Sequence, residues 1–175
     1  MSVPEVDRQI GPQNGRLTVH TSREGVVARA GHDLTIEMTR WSGRLRVGAH
    51  PAASELTVTV DMGSMRIVDG TGGITPLSER DKPEILRNAR RILSVDRYPE
   101  GTFVAEGFGE DAVDGTLCLL GTSHPLRLTY RIDGERYRAS GSVRQSDYGI
   151  APFRAFFGAL KLADVVRVEA ELDRL

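Results

Sequence analysis

The stretches LTIEMT, residues 34–39, and LTVTVD, residues 56–61, decide the fold. In each, apolar side chains (Leu34, Ile36 and Met38; Leu56, Val58 and Val60) alternate with polar ones. A period of two gives a strand one buried and one wetted face. The same alternation recurs over 102–106, 113–119, 126–132 and 137–143, and again in Val166, Val168, Ala170 and Leu172. Short breaks containing Gly43, Gly48, Asp114-Gly115 and Asp133-Gly134 separate these runs. Such spacing suits hairpins and is too short for the helical crossovers of a parallel sheet. An antiparallel barrel or sandwich follows.

Two segments depart from this period. From Asp81 to Leu93, the residues Ile85, Leu86, Ala89, Ile92 and Leu93 fall on one helical face, with Arg87, Asn88, Arg90 and Arg91 on the other. Asp81 and Glu84 have the spacing of a capping box, and Pro83 suits a first turn. An amphipathic helix lying across the β-structure is expected. After Pro152, Phe153, Phe156, Phe157 and Leu160 recur at i, i+3, i+4 and i+7, which predicts a shorter second helix near a barrel end. DGTGGITPLS, residues 69–78, reads as a loop, and residues 1–14 read as a flexible tail before a single domain spanning 15–175.

With 175 residues the chain suits one domain, and its 23 basic and 24 acidic residues leave a net charge of −1. That balance argues against nucleic acid as a partner, which calls for a broadly basic surface. Arg87, Arg90, Arg91 and Arg97 form the one cationic cluster. Only Lys82 and Lys161 are lysines. The single cysteine, Cys118, excludes an internal disulfide framework. No run of about 18 apolar residues offers a transmembrane segment, and MSVPEVDRQIGPQNG has neither the basic nor the apolar region of a signal peptide, so a cytoplasmic protein is expected.

Catalytic chemistry finds little purchase. His20, His32, His50 and His124 lack metal-ligand spacing, so no metal or other cofactor is expected. His32-Asp33 and Ser123-His124 are adjacent in sequence, which in a strand places their side chains on opposite faces. No nucleophile elbow is present, and Cys118 sits in an apolar run with no basic neighbour. Gly107, Gly109 and Ala112 match a dinucleotide fingerprint in letters alone, since a strand follows them where a helix is required.

WSGRL at 41–45, VTVDMGSM at 58–65, RYPEGTF at 97–103, GTLCLLGTSHPLRL at 115–128 and SDYGI at 146–150 together resemble the YceI-like family, lipocalin-like polyisoprenoid-binding proteins. The resemblance implies an antiparallel barrel of about eight strands, helices at one end, an apolar tunnel and binding in place of catalysis. The ligand class it implies is a long apolar or amphipathic molecule: a polyisoprenoid, an isoprenoid quinone or a fatty-acid derivative.

The expected tunnel lining is Leu34, Ile36, Met38, Trp41, Val58, Val60, Phe103, Leu117, Leu119 and Leu128, closed by Phe153, Phe156, Phe157 and Leu160. His32, Asp33 and Arg154 are the expected head-group contacts. Two rival readings stand beside the carrier. One is an interaction module whose core is filled by its own side chains, and the other a hydrolase working at the barrel rim. Strand edges and the apolar helix are compatible with a homodimer.

Overall fold

A computed structural model describes residues 6–25, 27–155 and 160–174. Eleven strands form one antiparallel sheet that curls into a lipocalin-like half-barrel. In chain order the strands are β1 (Val6–Ile10), β2 (Gly15–His20), β3 (Arg23–Glu24), β4 (Asp33–Met38), β5 (Trp41–Val47), β6 (Glu55–Asp61) and β7 (Met65–Thr71). Helix α1 (Lys82–Ile92) follows, then β8 (Glu100–Phe108), β9 (Ala112–Leu119), β10 (Thr122–Asp133), β11 (Arg136–Arg144), β12 (Arg154–Ala155), β13 (Leu160–Leu162) and β14 (Val165–Asp173). The large sheet runs β1-β5-β6-β8-β9-β10-β11-β14-β2-β4-β7, while β12, β13 and β3 make a small separate sheet.

The alternation read from the sequence sets which face turns inward. Leu34, Ile36 and Met38 on β4 are all buried, as are Phe103 and Ala105 on β8. Register then carries the apolar positions from strand to strand. Val58 pairs with Phe103 and Phe103 with Leu117, and on the far wall Leu17 pairs with Ala170 and Ala170 with Ala139. On the outer face, arginine–carboxylate pairs join neighbouring strands, among them Arg44–Asp7, Arg46–Glu55, Arg127–Asp114 and Arg136–Glu171. Bidentate geometry holds Arg127 on Asp114 at 2.8 and 2.7 Å.

The structure departs from the sequence reading in four places. Residues 6–10, expected within a tail, form edge strand β1, because Ile10 is buried and the backbone pairs along β5. Gly43 and Asp114-Gly115, expected as breaks, lie inside β5 and β9. Here glycine answers crowding: a Cβ at Gly115 would stand 2.4 Å from Phe103 Cζ, and one at Gly43 2.4 Å from the Thr57 carbonyl oxygen.

The third difference is at Phe153–Leu160, where the flanks expected to be helical are the strands β12 and β13, with Arg154 opposite Lys161 and Ala155 opposite Leu160. Phe156 and Phe157 lie outside the described residues. Fourth, the capping box does not form. Asp81 instead accepts hydrogen bonds from the Ser78 hydroxyl at 2.7 Å and the Ser78 amide at 3.2 Å. These bonds, the hydroxyl's foremost, lower the Asp81 pKa.

Where the chain turns from β4 to β5 and from β6 to β7, Ser64 is 3% exposed and ties the two turns together. Its hydroxyl accepts from the Arg40 amide at 3.0 Å and donates to the Asp61 carbonyl at 2.7 Å. The Asp61 carboxylate in turn takes a 2.8 Å bond from Arg40 Nε, the main cause of its lowered pKa. Helix α1 packs Leu86 and Ile85 against the cluster of Leu34, Ile36, Met38 and Ile67, and Ile92 against that of Phe103, Tyr148 and Ile150. It thereby bridges two apolar clusters.

Candidate functional site: an apolar cavity in the half-barrel

Between the two clusters lies a cavity of about 460 Å³. Its wall follows directly from strand parity: Leu34, Ile36 and Met38 from β4, Leu56, Val58 and Val60 from β6, and Val166, Val168, Ala170 and Leu172 from β14. The six residue steps from Val166 to Leu172 span roughly 20 Å of strand, so the space is elongated. Two features keep it open. Ala139 and Ala170 face each other on adjacent strands and Ala89 lines the cavity from α1, so three wall positions have only a methyl group. Among the described residues, no large side chain falls below 2% exposure, the signature of a core arranged around a void.

The polar wall residues are Thr21, Arg23, His32, Asn88, Gln145 and Lys161, from the β2–β3 connection, β3, the β4 approach, α1, the turn after β11 and β13, together with Glu169 from β14. Of these, only Glu169 sits on a strand of the large sheet. Ile10, Leu17, Trp41 and Leu172 are among the apolar residues that make up the rest of the wall. Each charged member is already engaged. Glu169 pairs with Arg167 and lies 3.5 Å from His20 Nε2. Arg23 bonds the Gly31 carbonyl and lies 3.6 Å from Asp33, and Lys161 Nζ lies 3.7 Å from Glu24. His32 Nε2 contacts the Thr75 carbonyl at 2.8 Å, holding the loop that leads to α1. Gln145 donates to the Ala163 carbonyl at 3.0 Å, which leaves its own amide oxygen free of that bond.

Of the side chains singled out from sequence, Leu34, Ile36, Met38, Trp41, Val58, Val60, Phe103, Leu117, Leu119, Leu128, Phe153, Leu160 and His32 line the cavity. Asp33 does not. Its carboxylate turns to the Arg23 amide, a 2.9 Å bond, as expected for the neighbour of an inward residue at a strand start. Arg154 is exposed on β12 and also lies off the wall. Arg23, Gln145 and Lys161 were not anticipated, because each lies on a short element or turn where no periodicity shows direction, and Asn88, expected on the polar face of α1, sits at the edge of its apolar face and reaches the wall. The β14 lining was visible as a strand pattern, and the apolar face of α1 as a helical one.

The rim hydrolase required at least two of His32, Asp33 and His124 within hydrogen-bonding reach. His32 turns to Thr75, Asp33 to Arg23, and His124 stacks edge-on against Tyr148 with ring centroids 5.2 Å apart. Burial raises the Tyr148 pKa, which keeps its hydroxyl protonated. Among the described residues no three His, Cys, Asp or Glu side chains gather in a way that could hold a metal ion, and no helix is long and apolar enough to cross a membrane.

Comparison with known proteins places this geometry. None of the curated proteins matches the chain in sequence. The crystal structure of Burkholderia cenocepacia BcnA is similar in fold, with a TM-score of 0.66 over 93% of this chain and 98% of that one, at 14% identity. The model of the YceI-like domain matches residues 11–173, nearly the whole of the half-barrel and its helix. The chain therefore belongs to the YceI-like domain family.

Proposed function

We propose that the protein binds a long-chain apolar or amphipathic molecule in the half-barrel, as a carrier or store, and does not transform it. The candidates are a polyisoprenoid, an isoprenoid quinone or a fatty-acid derivative. One observation carries this reading: an elongated apolar cavity of about 460 Å³, within the usual range for small-molecule pockets. A module with a filled core would have no use for such a space. Each buried methylene contributes about 0.8 kcal/mol, so ten contribute about 8 kcal/mol before the costs of association are subtracted. Affinity of this origin needs no strong polar contact, and it discriminates poorly between chains of similar length.

The wall's polar residues point to a modest head group. Arg23 and Lys161 already face Asp33 and Glu24, so an added anion would compete with existing carboxylates. A neutral head that takes a hydrogen bond from Asn88, or gives one to Gln145, fits without breaking an ion pair.

Mass spectrometry of organic extracts from the purified protein tests the proposal. A stoichiometric long-chain molecule is expected, with uptake of an isoprenoid quinone by protein first stripped of its content. Empty extracts together with no uptake of quinone, polyprenol or fatty amide overturn it.

A further inference from the structure

Many arginines of the strands are matched by carboxylates of neighbouring strands, among them Arg44 with Asp7, Arg66 with Glu37 and Arg127 with Asp114, while Arg8, Arg29, Arg80, Arg154 and Arg174 stand singly without an ion pair among the described residues. The α1 region gathers four more such arginines within eleven residues. Arg87, Arg90, Arg91 and Arg97 are all exposed, and none has a carboxylate within ion-pair distance among the described residues. Arg90 instead donates to the Gly63 carbonyl at 2.9 Å, Arg91 to Asn88 at 3.1 Å, and Arg97 stands 5.2 Å over the Tyr98 ring. These contacts orient the guanidinium groups; the Arg90 charge also helps to lower the Asp61 pKa, while Arg87, Arg91 and Arg97 have no carboxylate at ion-pair distance among the described residues. Four arginines against Asp96 give residues 87–97 a net +3 in a chain of net −1. The helix macrodipole accounts for cations in the last turn, Arg90 and Arg91, but not for Arg87 one turn earlier or Arg97 beyond the end.

Arg87, Arg90 and Arg91 lie at i, i+3 and i+4, opposite the face formed by Ile85, Ala89 and Ile92, which lines the cavity. We infer that the outer face of α1 docks the protein on an anionic lipid bilayer, so that the cavity meets the membrane behind one helix. A cationic face matches the negative surface potential of an anionic leaflet. The choice of a bilayer over an acidic protein rests on the carrier reading, since an apolar cargo resides in membranes and the helix that docks is also a cavity wall. A helix with its side chains is about 10 Å across, so the bilayer surface lies close to the cargo.

Flotation of the full chain with vesicles tests this, using phosphatidylcholine alone or mixed with phosphatidylglycerol, and protein stripped of bound lipid. Binding is expected only to the anionic vesicles. It should fall steeply as salt shortens the screening length from about 10 Å toward 3 Å, a readout that needs no variant. Each arginine near an anionic leaflet strengthens binding roughly fivefold, so the triple variant Arg87→Gln, Arg91→Gln, Arg97→Gln should bind on the order of a hundredfold more weakly. The control variant Arg44→Gln, Arg127→Gln, Arg136→Gln removes the same charge elsewhere and should bind like the wild type.

Equal loss in both variants, or no flotation at low salt, overturns the inference. Capture on poly-glutamate beads without flotation overturns it in favour of an acidic protein partner. Because the protein is stripped and the vesicles contain no isoprenoid, these results are independent of the extraction experiment: failed flotation with lipid in the extract removes the docking face and leaves the carrier reading standing.

Discussion

At position 115 a hydrogen stands where any other residue would place a Cβ, 2.4 Å from Phe103 Cζ and 2.7 Å from the Val104 carbonyl oxygen. The Asp114-Gly115 pair is a common turn signal, yet it lies in mid-strand, with Gly115 opposite Ala105. Turn chemistry and close approach leave the same letters in a sequence, and only the neighbouring ring tells them apart. Replacing Gly115 with Ala should destabilise the protein by about 1–3 kcal/mol through overpacking. Pairing it with Phe103→Leu should recover much of the loss. Urea denaturation of the two single variants and the double variant measures this, and an additive pair would show that the ring is not the obstacle.

Among the elements, α1 was legible almost to the residue because its apolar face repeats over more than two turns. How it ends was not. Ser94 takes a left-handed φ of 47°, allowing its amide to reach the Arg91 carbonyl and the Val95 amide to reach that of Arg90. This is the geometry of a Schellman ending, in which glycine is the usual residue. Ser94→Gly should therefore stabilise the protein by about 0.5–1 kcal/mol, the relief of left-handed strain outweighing the added freedom of the unfolded chain. A rise in the midpoint of thermal unfolding is the readout.

Strand β8 shows the opposite limit of sequence reading. Phe103 and Ala105 face inward, but a bulge puts Phe108 opposite Val113, so the inward parity changes within one strand. Nothing in the local alternation marks that slip. Near the C-terminus a helical stripe was read from four apolar residues, and its described flanks pair as the strands β12 and β13. Two turns' worth of periodicity is too little to outweigh a ladder formed with a distant partner, here β3.

For the molecule as a whole, the hollow interior is the feature with functional weight. Ala170 faces Leu17 on one side and Ala139 on the other, so an aromatic side chain placed there projects into the void. Ala170→Phe should reduce uptake of an isoprenoid quinone at least tenfold. In the stripped protein the new ring gains contacts, and stability should hold or rise by about 0.5–1 kcal/mol. Fluorescence titration beside thermal unfolding separates the two effects: weak uptake in a protein of undiminished stability is the result expected of an occupied cavity.

The sequence by itself determined the β class, the antiparallel hairpins, the amphipathic helix and most of the inward-facing apolar positions. Period and propensity are local properties that survive without knowledge of any partner. The tertiary structure alone decided that these inward faces leave space between them, and not a filled core. That outcome depends on three alanines from distant parts of the chain, Ala89, Ala139 and Ala170, all reaching the lining. It also decided which polar groups meet the cavity, turning His32 onto the wall and its neighbour Asp33 to Arg23. Arg23, Gln145 and Lys161 came with them, because loops and short strands take their direction from what they pack against and not from the residues they contain.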